Sequence, residues 1–230
     1  MTTYPEAAMS KIDEILSNNH PWPRAGDRLV TKDEPDWHNK AMLLHEWGDR
    51  WSVYATGYKQ AADIAVDRIK AGYGGQDLLV YPIMFMYRHS LELSIKNLIQ
   101  LAWQLLNKEA SNDLGSHNLV TLWRICRPLL EEAAPGDSTI ELGHVGVLID
   151  EFCRYDAGSY AFRYPVTKPD PKTKQRTPTL QGIDEINLRN VQKVIGNVSA
   201  LLMAAASMLA VHLQHNADME AQYGPDPSDY

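Results

Sequence analysis

YRHSLELSIK, residues 87–96, is the stretch whose reading decides the fold. It lies inside an otherwise apolar run whose spacing predicts a helix over 77–108, with Asp77 as its cap and Pro82 absorbed in the first turn or two. Arg88, Glu92 and Lys96 recur at i, i+4 and i+8, so they share one face of that helix. His89 stands one step aside, three residues before Glu92. Two readings fit this pattern. One is an ion-pair ladder at a helix–helix seam. The other is a polar pocket in a bundle core, where Arg88 grips phosphate and His89 or Glu92 moves a proton.

Working outward, helical signals dominate both flanks. Met42, Leu43, Trp47, Trp51, Tyr54, Tyr58, Ala62, Val66 and Ile69 predict a helix over 36–70, with Asp36 as its N-cap. Gly48 and Gly57 inside it predict close helix packing or a kink. GYGGQ, residues 72–76, reads as the turn into the next helix. A short amphipathic helix over 5–17 precedes a proline-rich break. Downstream, two shorter helices are expected over 117–133 and 138–155. Residues 156–182 lack helical period and read as irregular or hairpin-like. Asp184 is expected to cap a last helix to about residue 222, with Val194, Val198, Leu201, Leu202, Ala205 and Leu209 inside. The fold expected is all-α, an antiparallel bundle of five to six helices with an irregular basic loop before the last one. Residues 1–34 would form a short helix and linker, 35–222 a single domain, and 223–230 a disordered tail.

Composition narrows the functional classes. The chain has 230 residues and a net charge of −7, so binding a polyanion requires a local basic patch working against the overall field. Cys126 and Cys153 give neither a disulfide framework nor a metal-ligand spacing. The histidine pairs His212/His215 and His38/His45 come without a ligand constellation, and HExxH is absent. No metal and no cofactor is therefore expected. GxGxxG, GxxxxGK[ST], GxSxG and deaminase signatures are likewise missing. The N-terminus does not read as a signal peptide, and the apolar run 200–213 is too short to span a bilayer. A soluble cytoplasmic protein without a membrane role is the expectation.

Candidate site residues lie in three places besides the Arg88 ladder. His117 stands at the expected start of a helix, either packing there or serving as a catalyst. The string RYDAGSYAFRYP, residues 154–165, brings Arg154, Tyr160, Arg163 and Tyr164 into a loop between helices. Its arginines suit phosphate and its tyrosines suit bases, although Phe162 and Tyr164 could equally plug the bundle end. Lys168, Lys172, Lys174 and Arg176 against Asp170 then give a local positive excess able to hold an RNA backbone, or simply to keep a loop solvated.

The order ELSIKNLI (92–99), HNLVTL (117–122) and RYP (163–165) before a final helix resembles the HEPN superfamily, the higher eukaryotes and prokaryotes nucleotide-binding domain. The resemblance covers roughly residues 76–213 and leaves the first seventy outside it. It implies a helical bundle, a homodimer, and a role in bacterial stress, toxin–antitoxin or phage-defence systems. Many members are metal-independent ribonucleases with an Arg-x(4–6)-His motif. That motif is absent here, because Arg154 is followed in the matching stretch by Tyr160. Nucleotide or RNA binding is therefore the leading expectation, with Arg88, Lys96, Arg154, Tyr160, Arg163, Tyr164, Lys172, Lys174 and Arg176 as ligand-binding residues. The first alternative is a metal-independent ribonuclease with a diverged site, using His89, Glu92 and His117. The second is a non-catalytic, antitoxin-like interaction protein with a neighbouring defence protein as partner.

Overall fold

The computed structural model describes residues 23, 25–30, 37–43, 50–109, 112–136 and 139–223. The chain divides into two compact units, residues 1–45 and 46–230. In the first, Trp37–Asn39 form one 3₁₀ turn and residues 40–43 are non-helical, with Met42 and Leu43 exposed. The helix expected over 36–70 is thus corrected in its first part: residues 40–43 interrupt it. The expected helix at 5–17, the Asp36 cap and the tail beyond residue 223 lie outside the described residues.

The second unit is an all-α bundle of five helices among the described residues: α1 (Arg50–Arg68), α2 (Gln76–Leu105), α3 (Leu119–Ala133), α4 (Thr139–Asp156) and α5 (Leu188–Tyr223). The central element is α2. From Ile83 to Trp103 it is buried on most of its circumference, packed against α1, α3 and α5. Tyr58 lies against His89 and Asp63 against Tyr87, so α1 runs antiparallel to α2. The joint is a π-helical turn, Ile69–Tyr73, followed by Gly74 and Gly75; Gly72 (φ 87°), Gly74 (φ 69°) and Gly75 (φ 87°) take positive-φ conformations that a side chain would strain. This is why the turn needs its GYGG string.

Polar ties fix the helix pairs. Tyr87 donates to Asp63 at 2.6 Å, and Gln192 of α5 bonds both Asp67 (3.1 Å) and Lys70 (3.0 Å) from α1 and the turn after it. Helix α3 is capped by Asn118, whose side chain accepts from the Thr121 N–H at 3.1 Å. His117 therefore precedes the helix rather than opening it. Likewise Asn187 caps α5 by accepting from the Asn190 N–H at 3.1 Å, and Asp184, the expected cap, lies upstream of the helix. Gly57 is not a packing point, since nothing lies within 4 Å of where its side chain would begin. Gly146 of α4 is one: a Cβ there would stand 3.0 Å from the Trp123 indole nitrogen of α3.

Residues 157–187 fold as a turn followed by a hairpin. Val166 bridges Pro178, the Thr167 N–H donates to the Thr177 carbonyl at 2.8 Å, and that of Thr179 to the Pro165 carbonyl at 3.0 Å. Helix α5 buries Ile195, Val198, Leu202 and Leu209, while Val194, Leu201 and Ala205 are only partly covered. By length and composition Leu188–Gln222 could also cross a membrane: an 18-residue window reaches mean hydropathy 2.0 with 28% of it buried. The expectation of a run too short to span counted residues 200–213 alone; the helix that holds them passes the length and composition test, as the core helix of a soluble protein also can.

Candidate functional site

Two features of α2 build the site. Phe85, His89, Glu92 and Lys96 follow one another at helical spacing on the side facing α1 and the loops. Arg88 faces inward beside them and is fully buried. Four of its five N–H groups are taken: one on Nη1 by Glu92 at 3.1 Å, Nε by the Asp156 carbonyl at 3.0 Å, and both on Nη2 by the carbonyls of His117 (2.5 Å) and Ala157 (3.2 Å). Asp156 adds an ion pair at 3.7 Å. Arg88 therefore ties α2 to the loop before α3 and to the end of α4. It has no face left for phosphate, and the role of phosphate ligand expected for it is corrected on that ground.

Glu92 is the hub next to it. Its Oε1 accepts from Lys96 at 2.9 Å and meets His117 Nδ1 at 2.9 Å. Burial pushes the carboxyl up, but the Lys96 and His117 hydrogen bonds outweigh it and hold the pKa below the ordinary value. Glu92 is thus a buried, charged acceptor. His117 is oriented by it while two-thirds of its own side chain stays exposed (66%). His89 is half-buried, stacked on Phe85 at 5.7 Å and edge-on to Tyr58 at 4.5 Å. Burial, the first cause, is reinforced by Lys96, Arg88 and His117 against the Glu92 charge, and holds its pKa below 6.5. His89 is a neutral imidazole at neutral pH. Lys96 itself is buried and spent on Glu92, which removes it from the expected ligand-binding set.

The turn after α4 is positioned from the same knot. Asp156 Oδ1 accepts from the Tyr160 N–H (2.5 Å) and the Ala161 N–H (3.0 Å), closing the chain into the FRYP turn. Phe162 is buried, edge-on to Phe152 at 6.2 Å, so it plugs the bundle while its neighbours point out. Tyr160 and Tyr164 stack at 4.4 Å. The Arg163 Nε–H donates to the Ser159 carbonyl, and its guanidinium lies over both the Phe85 and Tyr164 rings, at 5.5 and 5.6 Å. Thr179 Oγ1 donates to the carbonyls of Ala161 (3.2 Å) and Tyr164 (2.7 Å), which locks the hairpin onto the turn.

The hairpin itself is a braced basic arm. Asp170 Oδ1 accepts from the N–H groups of Lys172 (2.8 Å) and Thr173 (2.7 Å), and these bonds lower its pKa. Lys168, Lys172, Lys174 and Arg176 are exposed along it, and Lys168 reaches over the Tyr160 ring at 5.7 Å. Arg154 is exposed in the last turn of α4, and among the described residues no hydrogen bond or ion pair joins it to this cluster. His89 and Arg163 converge on the Phe85 ring from two different elements, whereas His117 enters through Glu92. No hydrogen bond links these three among the described residues.

A cavity of about 720 Å³ opens beside the FRYP turn, lined by Asp77, Tyr81, Arg163, Tyr164, Asp184 and Glu185 among others. Three carboxylates against one guanidinium make it a poor host for phosphate. Phe85, Tyr58 and Asp156 are the site residues that sequence reasoning missed. Phe85 carried a signal, four residues before His89 on one helix face. Asp156 carried another, an aspartate at a helix end followed by Ala-Gly-Ser. Compared with known proteins, the chain matches no family model, no curated protein and no solved structure.

Proposed function

We propose that the chain is a HEPN-like protein that binds RNA or a nucleotide, acting in the cytoplasm as a homodimer in bacterial stress or defence. The observation that carries this reading is the union of a braced basic hairpin with the Tyr160–Tyr164 stack and Arg163, on a molecule whose net charge is −7. An acidic chain that sets Lys168, Lys172, Lys174 and Arg176 against the single carboxylate Asp170 on one braced arm beside aromatic rings has the local field and the aromatic surface that suit polynucleotide binding. Phosphate contacts fall to Arg163, Lys168, Lys172, Lys174 and Arg176, not to Arg88 or Lys96. Binding of a labelled RNA oligonucleotide followed by anisotropy tests it: Arg163→Ala weakens binding several-fold while the thermal transition is unchanged. An unchanged affinity overturns the assignment of Arg163.

The ribonuclease reading is favoured by a separate observation, the contact between His117 Nδ1 and buried Glu92. That contact leaves Nε2 of an exposed ring to give or take a proton, with neutral His89 nearby as a base. Incubation with total RNA in the presence of chelator decides it. Cleavage lost in both His117→Ala and His89→Ala supports an active site; cleavage by both variants removes it. Light scattering on the purified chain tests the dimer.

A further inference from the structure

Helix α5 lacks charge on two opposite sides, and the bundle covers one of them. The covered side holds Leu188, Ile195, Val198, Leu202 and Leu209. On the opposite side Asn197, Ala200, Ala204, Ser207, Val211 and Gln214 are exposed, Val211 at 65%. They follow one another three and four residues apart in alternation, which is the spacing of a seam between two helices. No Asp, Glu, Lys or Arg interrupts residues 194–217, and an 18-residue window of mean hydropathy 2.0 is only 28% buried. A helix that forms one wall of a bundle carries its charges on the outer face, and a helix without them all round is covered all round. The charges at the two ends of α5 point to what covers it. Arg189 and Lys193 stand near its N-terminus, Asp218 and Glu220 near its C-terminus. Each set lies at the end of the helix macrodipole that disfavours it. Among the described residues Lys193 has no hydrogen bond or ion pair.

We infer that this face of α5 pairs antiparallel with α5 of a second copy of the chain, an inference that rests on the homodimer proposed above and assigns its surface. With the two-fold axis between residues 205 and 206, Lys193 faces the partner's Asp218, Asn197 the partner's Gln214, Ala200 the partner's Val211, and Ala204 the partner's Ser207. Each layer is complementary: charge on opposite charge, amide on amide, small side chain on small or apolar side chain. A parallel pair would set Lys193 on Lys193 and Asp218 on Asp218. Gln214 Nε2 donates to Asp218 at 2.8 Å and holds that carboxylate on the seam. Ala200, Ala204 and Ser207 let the two backbones approach closely. The paired segment, 193–218, is roughly 38 Å long, and the pairing sets the two macrodipoles head to tail. Asp184 and Glu185, upstream of the helix, line the cavity beside the FRYP turn instead. A bilayer is the rival cover, but a helix lying in a membrane surface carries Trp, Phe or Leu on its apolar face, where this one carries alanine and serine.

The test is sedimentation velocity of the full chain over a concentration series, which gives the dimer dissociation constant. Ala204→Glu places like charges at the centre of the seam and should weaken the dimer at least ~tenfold. Lys193→Asp and Asp218→Lys should each weaken it roughly fivefold, although each suits the helix's own macrodipole. The double exchange of both residues should restore the parent affinity, a recovery that only antiparallel self-pairing gives. A dimer of parent affinity in Ala204→Glu, or a double exchange no tighter than its single variants, overturns the pairing and leaves the homodimer standing on another surface. A parent chain that stays monomeric at every concentration overturns both readings. If that monomer instead co-sediments with vesicles of phosphatidylserine and phosphatidylcholine, and Ala204→Glu does not, the face belongs to a bilayer. Circular dichroism of each variant separates a lost interface from a lost fold.

Discussion

Arg88 shows how one side chain can look like a ligand-binding residue and serve as a structural knot. It is wholly buried, and four protein acceptors from three segments consume its fork. Removing it takes one partner each from the buried carboxylates Glu92 and Asp156 and leaves the His117, Asp156 and Ala157 carbonyls without this donor, and breaking a buried pair costs about 3–5 kcal/mol. Arg88→Ala is therefore expected to lower stability by that amount in urea unfolding. Arg88→Lys recovers little of it, because a single ammonium cannot span acceptors on both sides of the fork. His89 makes a prediction of another kind. Its folded pKa is depressed, so between that value and 6.5 the unfolded chain binds the proton and the folded chain does not. Its contribution is present above 6.5 and is lost as pH falls through that window. The melting temperature should decline on acidification below 6.5, and His89→Gln should flatten the decline. A titration of the His89 ring by NMR that centres at or above 6.5 sinks the argument.

At the level of elements, the two helix glycines have opposite signs. Gly57 lies in open space on α1, so Gly57→Ala gains up to ~1 kcal/mol of helix propensity. Gly146 holds the Trp123 indole at close range, and the added Cβ at 3.0 Å makes Gly146→Ala destabilising despite the same propensity gain. Thermal unfolding of the two variants checks both signs at once. Asn187→Ala should cost ~1 kcal/mol as the cap of α5, whereas Asp184→Ala should cost little. These elements also mark how far the sequence could be read. Helices α1 to α5 were legible because their apolar spacing is local, and the hairpin because residues 156–182 lack that spacing. The ends were less so: Asp184 and Asn187 are both good cap residues, and only the hydrogen bond to Asn190 chooses between them. The site was legible as a set of residue types but not as an arrangement. Arg88 finds its partners 29, 68 and 69 residues away, and such pairings have no periodicity to betray them. The Arg163–Phe85–His89 contact depends on the same long-range closure.

For the whole molecule, charge is distributed rather than merely totalled. A net −7 would repel a polyanion at long range, yet the hairpin holds Lys168, Lys172, Lys174 and Arg176 on a scaffold whose only carboxylate, Asp170, is occupied with its own turn. Screening therefore acts on two opposing terms: salt weakens the attraction of the arm and also the repulsion from the rest of the surface. Attraction dominates because the arm's charges lie within a Debye length, about 8–10 Å, of a backbone bound to it. Affinity for an RNA oligonucleotide should thus fall with salt, with a log–log slope of about −0.7 for each phosphate neutralised on an unpaired strand. Replacing Lys172, Lys174 and Arg176 by alanine removes up to three of those contacts, and the slope should become shallower by up to ~2. Titrations of the parent chain and the triple variant across about 50–200 mM salt give both slopes. Parallel lines would mean that the hairpin contributes no phosphate contacts.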